Sequence, residues 1–217
     1  MSDIVESKKR QEDILKKIAA ESEKYFKTVG ERDDKKYPKY SIVLLLDTSG
    51  SMAGKKIDDA KQAIIDFLRR NDLKGSEVGL VTFGAEVRKF ELNYEPSFLE
   101  GNIKDLEAKG ETPMMRAIKT ARNELKEKPN QVIVIATDGH PKDAKESEIL
   151  EYAASLKRKG TRIITIGIGE DLDREFLASL ASSPDENHFA AESVELKIIY
   201  KKVGDRLFLE DKRGKLG

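Results

Sequence analysis

The 217 residues carry 40 Lys+Arg against 40 Asp+Glu, so the net charge is zero and no overall field draws in nucleic acid or an anionic membrane. The absence of cysteine excludes disulfides, thiolate metal sites and cysteine nucleophiles. No apolar run approaches the ~20 residues of a membrane span and the N-terminus lacks an apolar signal core, so the expectation is a soluble, cytoplasmic chain with one α/β domain and a modest extension.

Residues 1–30 are highly charged, with Ile14, Leu15, Ile18, Phe26 and Val29 at a loose helical period. This predicts an N-terminal amphipathic helix that packs on the domain, protrudes into solvent or meets a partner. Residues 31–39, with Asp33-Asp34-Lys35-Lys36 and Pro38, read as a linker. The domain is expected over 40–210, with a tail over 211–217.

From Tyr40 the pattern changes. Ser41 to Asp47 is an apolar run ending in an acid, as suits a strand covered on both faces. Lys56 to Arg70 has apolar residues at helical spacing. Glu77 to Phe83 is the next strand, and Glu86 to Leu92 alternates like a short antiparallel edge strand. Pro113 to Lys128 is helical, Gln131 to Thr137 is a buried strand, and Glu146 to Lys159 is a helix. Thr161 to Ile168 is a strand and Asp173 to Ala181 a short helix. His188 to Ala190 reads as a last strand and Ser193 to Leu209 as a closing helix. The Lys55-Lys56 and Lys157-Arg158-Lys159 clusters read as solvated helix faces.

Strands alternating with helices imply a doubly wound, Rossmann-like, mostly parallel sheet with helices on both faces. Ligands of such sheets sit outside the carboxyl ends of the strands, near the point where strand order reverses. Three polar clusters stand at or near that edge: Asp47-Thr48-Ser49-Gly50-Ser51, Gly110-Glu111-Thr112-Pro113 and Thr137-Asp138-Gly139-His140-Pro141. Each has a local explanation. Ser49 or Ser51 fits a cap or turn, Thr112-Pro113 a helix start, and Asp138-Gly139 a turn.

Taken together and in this order, the clusters resemble the metal-ion-dependent adhesion site of the von Willebrand factor A domain family. That motif is Asp-x-Ser-x-Ser, a distant Thr, and an Asp in a Thr-Asp-Gly loop. Asp47, Ser49, Ser51, Thr112 and Asp138 match its liganding positions. The resemblance runs from about Tyr40 to Leu209 and leaves the N-terminal helix uncovered. It implies that Ser49, Ser51 and Thr112 bind the ion directly, and Asp47 and Asp138 directly or through water. It also implies a non-enzymatic adaptor that grips an acidic residue of a partner through the metal. AAA-type ATPases and multi-subunit assemblies are the partner classes it suggests.

The ligand chemistry is consistent with this. All five groups offer oxygen, which suits Mg²⁺, Mn²⁺ or Ca²⁺. Only two carry charge, so the cation stays electron-poor and attracts a further carboxylate. Gly50 and Gly139 are expected to let the backbone turn around the ion. His140 is expected at the rim and His188 at a strand edge. Of Met114 and Met115, one is expected in the core and the other on the binding face.

Two nucleotide motifs fail. Gly50 to Lys56 has three residues between its glycines where a phosphate loop needs four, and Gly167-Ile168-Gly169 lacks a third glycine. The enzymatic alternative is a metal-dependent phosphohydrolase with Asp47 as nucleophile. It lacks the second acid two residues on, where Ser49 stands.

Overall fold

The computed structural model describes residues 40–70, 73, 75–170 and 172–213. The expected N-terminal helix and linker lie outside the described residues.

Six strands form one sheet: β1 (Ser41–Asp47), β2 (Glu77–Phe83), β3 (Val87–Asn93), β4 (Gln131–Thr137), β5 (Arg162–Ile168) and β6 (Asn187–Ala190). Their spatial order is β3-β2-β1-β4-β5-β6. β3 pairs antiparallel with β2 at one edge, and the other pairings are parallel. The helices are α1 (Lys55–Leu68), α2 (Leu99–Lys104), α3 (Met114–Glu124), α4 (Glu146–Arg158), α5 (Arg174–Leu180) and α6 (Ser193–Arg213).

The two-residue period of β1 splits its apolar run between two cores. Ile42, Leu44 and Leu46 pack with Ile64 and Phe67 of α1, Ile103 of α2, and Leu196 and Tyr200 of α6. Val43 and Leu45 pack on the other face with Met114 and Ile118 of α3, Ile149 of α4, and Phe176 of α5. Each such side chain contributes about 1.5–3 kcal/mol through burial. Phe67 and Tyr200 meet with ring centroids 5.7 Å apart, which joins α1 to α6. Burial pushes the Tyr200 hydroxyl well above its ordinary pKa.

The strand order places the functional edge. The chain leaves β1 towards β2 on one side and later returns to β4 on the other. Strand order therefore reverses between β1 and β4, whose Leu46 and Ala136 are paired. Loops leaving adjacent parallel strands in opposite directions open a crevice there.

Several expectations need correction. Met114 and Met115 are both buried, so neither lines a binding face. Pro113 precedes α3 instead of opening it, and no side chain of its own segment caps that helix. α3 ends at Glu124 because the chain turns sharply towards β4, with Glu127 and Asn130 in the left-handed region. α2 was not evident in the sequence, since six residues are too few for a periodic signal. α6 continues to Arg213, beyond the expected Leu209.

Candidate metal centre

Asp47 is the last residue of β1 and is fully buried. Its Oδ1 accepts the Ser49 backbone N–H at 2.8 Å, and its Oδ2 accepts the Thr137 hydroxyl at 2.6 Å. The strand end thus bends into a turn that aims the next side chains back at the acid. Ser49 and Ser51 Oγ lie 3.0 Å apart, and Ser51 Oγ donates to Asp138 Oδ1 at 2.7 Å. Asp138 follows the last residue of β4. The adjacency of β1 and β4 therefore brings two acids and two serines together across 87 residues of chain.

Thr112 arrives by a different route, which runs through backbone. Gly50 N–H donates to Gly110 O at 2.9 Å, Lys109 N–H to Thr48 O at 2.7 Å, and Ala85 N–H to Lys109 O at 2.7 Å. These bonds stitch the segment before Thr112 to the loops after β1 and β2. Lys142 N–H donates to Thr112 O at 2.9 Å and secures its other side. Gly110 has φ +83°, and a Cβ there would lie 2.4 Å from Ala85 backbone atoms. A Cβ on Gly84 would lie 2.4 Å from Thr48 O. These two glycines, and not Gly50 and Gly139, are what the loop crossing requires. Neither Gly50 nor Gly139 has a positive φ.

Gly139 has another part. A Cβ there would lie 3.5 Å from Thr112 Oγ1 and 3.7 Å from Ser51 Oγ. The missing methyl leaves a small cradle between two hydroxyls that come from different loops. Asp47, Ser49, Ser51 and Asp138 are thus joined by hydrogen bonds, Thr112 Oγ1 and Ser51 Oγ both lie close to Gly139, and these oxygen-only donors suit a hard divalent ion.

Electrostatics favour a cation as well. Burial pushes the Asp47 carboxyl up to about 6. Hydrogen bonds from Thr137 and Ser49 oppose that rise, and the charge of Asp138 adds to it. A divalent ion beside these groups would favour the ionised form and reverse the shift.

Sequence reasoning overlooked several contributors. Lys56, expected to solvate a helix face, is bonded to Asp138 Oδ2 and donates to Ser51 O at 3.3 Å. Thr137 anchors Asp47. Asp143 accepts the N–H groups of Met115 at 3.0 Å and Arg116 at 2.9 Å, which makes it the missing cap of α3. The overlooked signal was Asp143 itself, five residues after Asp138 on the same loop. His140 is exposed, with Nδ1 3.0 Å from Glu146 Oε1. His188 lies on edge strand β6, and burial pushes its pKa below the ordinary value, with Lys202 and Arg206 adding to the effect.

A separate cavity of about 450 Å³ is bordered by β5, β6 and α6. Arg162 pairs with Glu186 there and Arg206 with Asp185, so its lining charges largely satisfy one another.

The family model for the von Willebrand factor type A domain matches residues 41–201. The chain belongs to this family. A von Willebrand factor A domain-containing protein of Dictyostelium discoideum is 29% identical over 160 residues, covering 69% of this chain and 17% of that protein. Among solved structures, the vWF domain of the type V pili tip protein Mfa5 from Porphyromonas gingivalis has TM-score 0.70 at 13% identity. That match covers 80% of this chain and 96% of the other. Proximal thread matrix protein 1 from the mussel byssus, with a zinc-occupied MIDAS motif, has TM-score 0.67 at 21% identity. It covers 81% of this chain and 46% of the other. At these identities the solved structures speak for the fold alone. The A domain seen here spans only a small part of the curated relatives, 17% of the Dictyostelium protein and 16% of mouse matrilin-2.

Proposed function

We propose that this A domain is a divalent-metal-dependent protein-binding module. Asp47, Ser49, Ser51, Thr112 and Asp138 would hold Mg²⁺, Mn²⁺ or Ca²⁺, and an Asp or Glu of a partner would complete the shell. The observation that carries this reading is the bonded run from Asp47 through Ser49 and Ser51 to Asp138, with Thr112 Oγ1 and Ser51 Oγ both close to Gly139. When bound, the ion supplies a Lewis-acidic position that attracts a carboxylate. The chain's own residues orient it. Thr137 and the Ser49 backbone hold Asp47, and the 138–143 loop holds Thr112. Hard oxygen donors favour these ions over Zn²⁺, although the mussel byssus neighbour holds zinc in its MIDAS motif.

We assign the site to binding and not to turnover, in a cytoplasmic setting. An AAA-type ATPase or a multi-subunit assembly is the partner class we propose. Two measurements test this. Calorimetric titration with Mn²⁺ should show one site in the wild type and none in Asp47→Ala/Ser49→Ala. Capture of partner proteins from source lysate should need Mg²⁺ and be lost in EDTA. Capture that is identical in all conditions removes metal-mediated adhesion. Phosphomonoester turnover abolished by Asp47→Ala would replace binding with hydrolysis.

A further inference from the structure

We infer that Lys56 is a built-in counter-cation that competes with the divalent ion for Asp138, and so sets how much metal is needed to fill the site. This rests on the metal-binding reading above and adds a control to it.

The Asp138 side chain is 1% exposed, whereas that of Lys56 is 42% exposed. A carboxylate this deeply buried needs compensation. Ser51 Oγ provides some of it at Oδ1, and the Lys56 ammonium binds Oδ2. The same ammonium donates to Ser51 O at 3.3 Å, so it grips both the acid and the backbone of a second expected ligand. Gly169 completes the channel for this side chain. A Cβ there would lie 3.4 Å from Lys56 Cε and 3.7 Å from Nζ.

A lysine suits a replaceable cation. It is a compact point charge on a flexible stem, and this one is already close to half in water. It also has somewhere to go. A recess of about 90 Å³ at the same end of α1 is lined by Lys56, Asp59 and Glu192, among others. A displaced ammonium would therefore stay near carboxylates.

The charge count gives the direction. Asp47 and Asp138 together offer two negative charges, and Lys56 cancels one of them. An incoming divalent ion must either share Asp138 with the ammonium or expel it, and both weaken metal binding. Linkage makes the effect mutual, so metal binding must loosen Lys56.

The test uses the full chain and Mn²⁺ alone. Lys56→Met keeps the length of the side chain and removes its charge, and it should bind Mn²⁺ about tenfold more tightly than the wild type by calorimetry. Lys56→Arg should stay within a few-fold of the wild type. In the wild type, Mn²⁺ should raise acylation of Lys56 by an amine reagent several-fold, read by mass spectrometry against neighbouring Lys55. The acylation measurement uses no variant, so a folding defect in Lys56→Met leaves the inference testable. Wild type that binds Mn²⁺, with Lys56→Met equal or weaker and acylation unchanged, overturns the role of Lys56 and spares the metal site. Failure of every form to bind Mn²⁺ overturns both.

Discussion

Asp138 and Glu186 are two acids in nearly the same burial, with side chains 1% and 5% exposed, and each is bonded to a basic residue. Their partners differ. Arg162 is 17% exposed and belongs to strand β5, so its position is set by the sheet. Its planar guanidinium fits a carboxylate and never loses its charge. Lys56 is 42% exposed, sits in the first turn of α1, and is bonded to Asp138, whose other oxygen accepts the Ser51 hydroxyl. One pair holds two structural elements together. The other neutralises an acid that we propose as a metal ligand. Burial of a carboxylate therefore does not reveal its role; the freedom of the partnering cation does.

The sharpest way to break this contrast is Arg162→Met. It removes the guanidinium bonded to Glu186 and should cost about 4 kcal/mol in urea unfolding, with or without Mn²⁺. A loss as small as that of an exposed pair would erase the distinction.

Gly110→Ala probes the Thr112 side, which is held by backbone where the Asp138 side is held by an ion pair. The left-handed φ and the 2.4 Å approach to Ala85 should together cost about 3 kcal/mol and weaken Mn²⁺ binding. An unchanged melting temperature would mean that the loop crossing tolerates a side chain.

Asp47→Asn tests the electrostatics of the recess. The folded-state value of about 6 lies above the ordinary 3.8, so the fold favours the protonated acid. The stabilisation from Asp47 is full below about pH 4 and is lost as pH rises through about 6. In EDTA, the variant should therefore gain on the order of 3 kcal/mol over the wild type between acidic and neutral pH. With Mn²⁺ present the wild type should regain the advantage. A difference between the two that does not vary with pH would show that Asp47 titrates ordinarily.

The smallest effect is expected for Asp143→Ala. Loss of the cap on α3 should cost about 1 kcal/mol and loosen Thr112. An effect on Mn²⁺ affinity larger than the effect on stability would sharpen the case that this loop positions the site.

The apolar run of β1 and its acid, the helical spacing of α1 and the alternation of β3 were legible because these are local patterns with a fixed period. The identities of the five candidate ligands were legible because their neighbours on the chain mark the three loops. What surrounds those ligands was not. Thr137 stood in the third cluster without a stated task, Asp143 drew no expectation, and Lys56 read as one more solvated charge in a chain with 40 basic residues. One of Met114 and Met115 was misplaced for a related reason, since helical spacing does not say which neighbours cover the first turn.

The sequence by itself therefore determined the alternating layers, the sheet-edge location of the candidate site and the oxygen-only donors proposed for it. Those follow from side-chain period, chain connectivity and functional-group type, each of which is written along the chain. Only the tertiary structure decided that Gly110 must cross Ala85, that Asp143 caps a helix in another segment and that Lys56 stands against Asp138. These depend on where loops far apart in sequence meet, and a charge or a glycine has no local signature of the partner it will find.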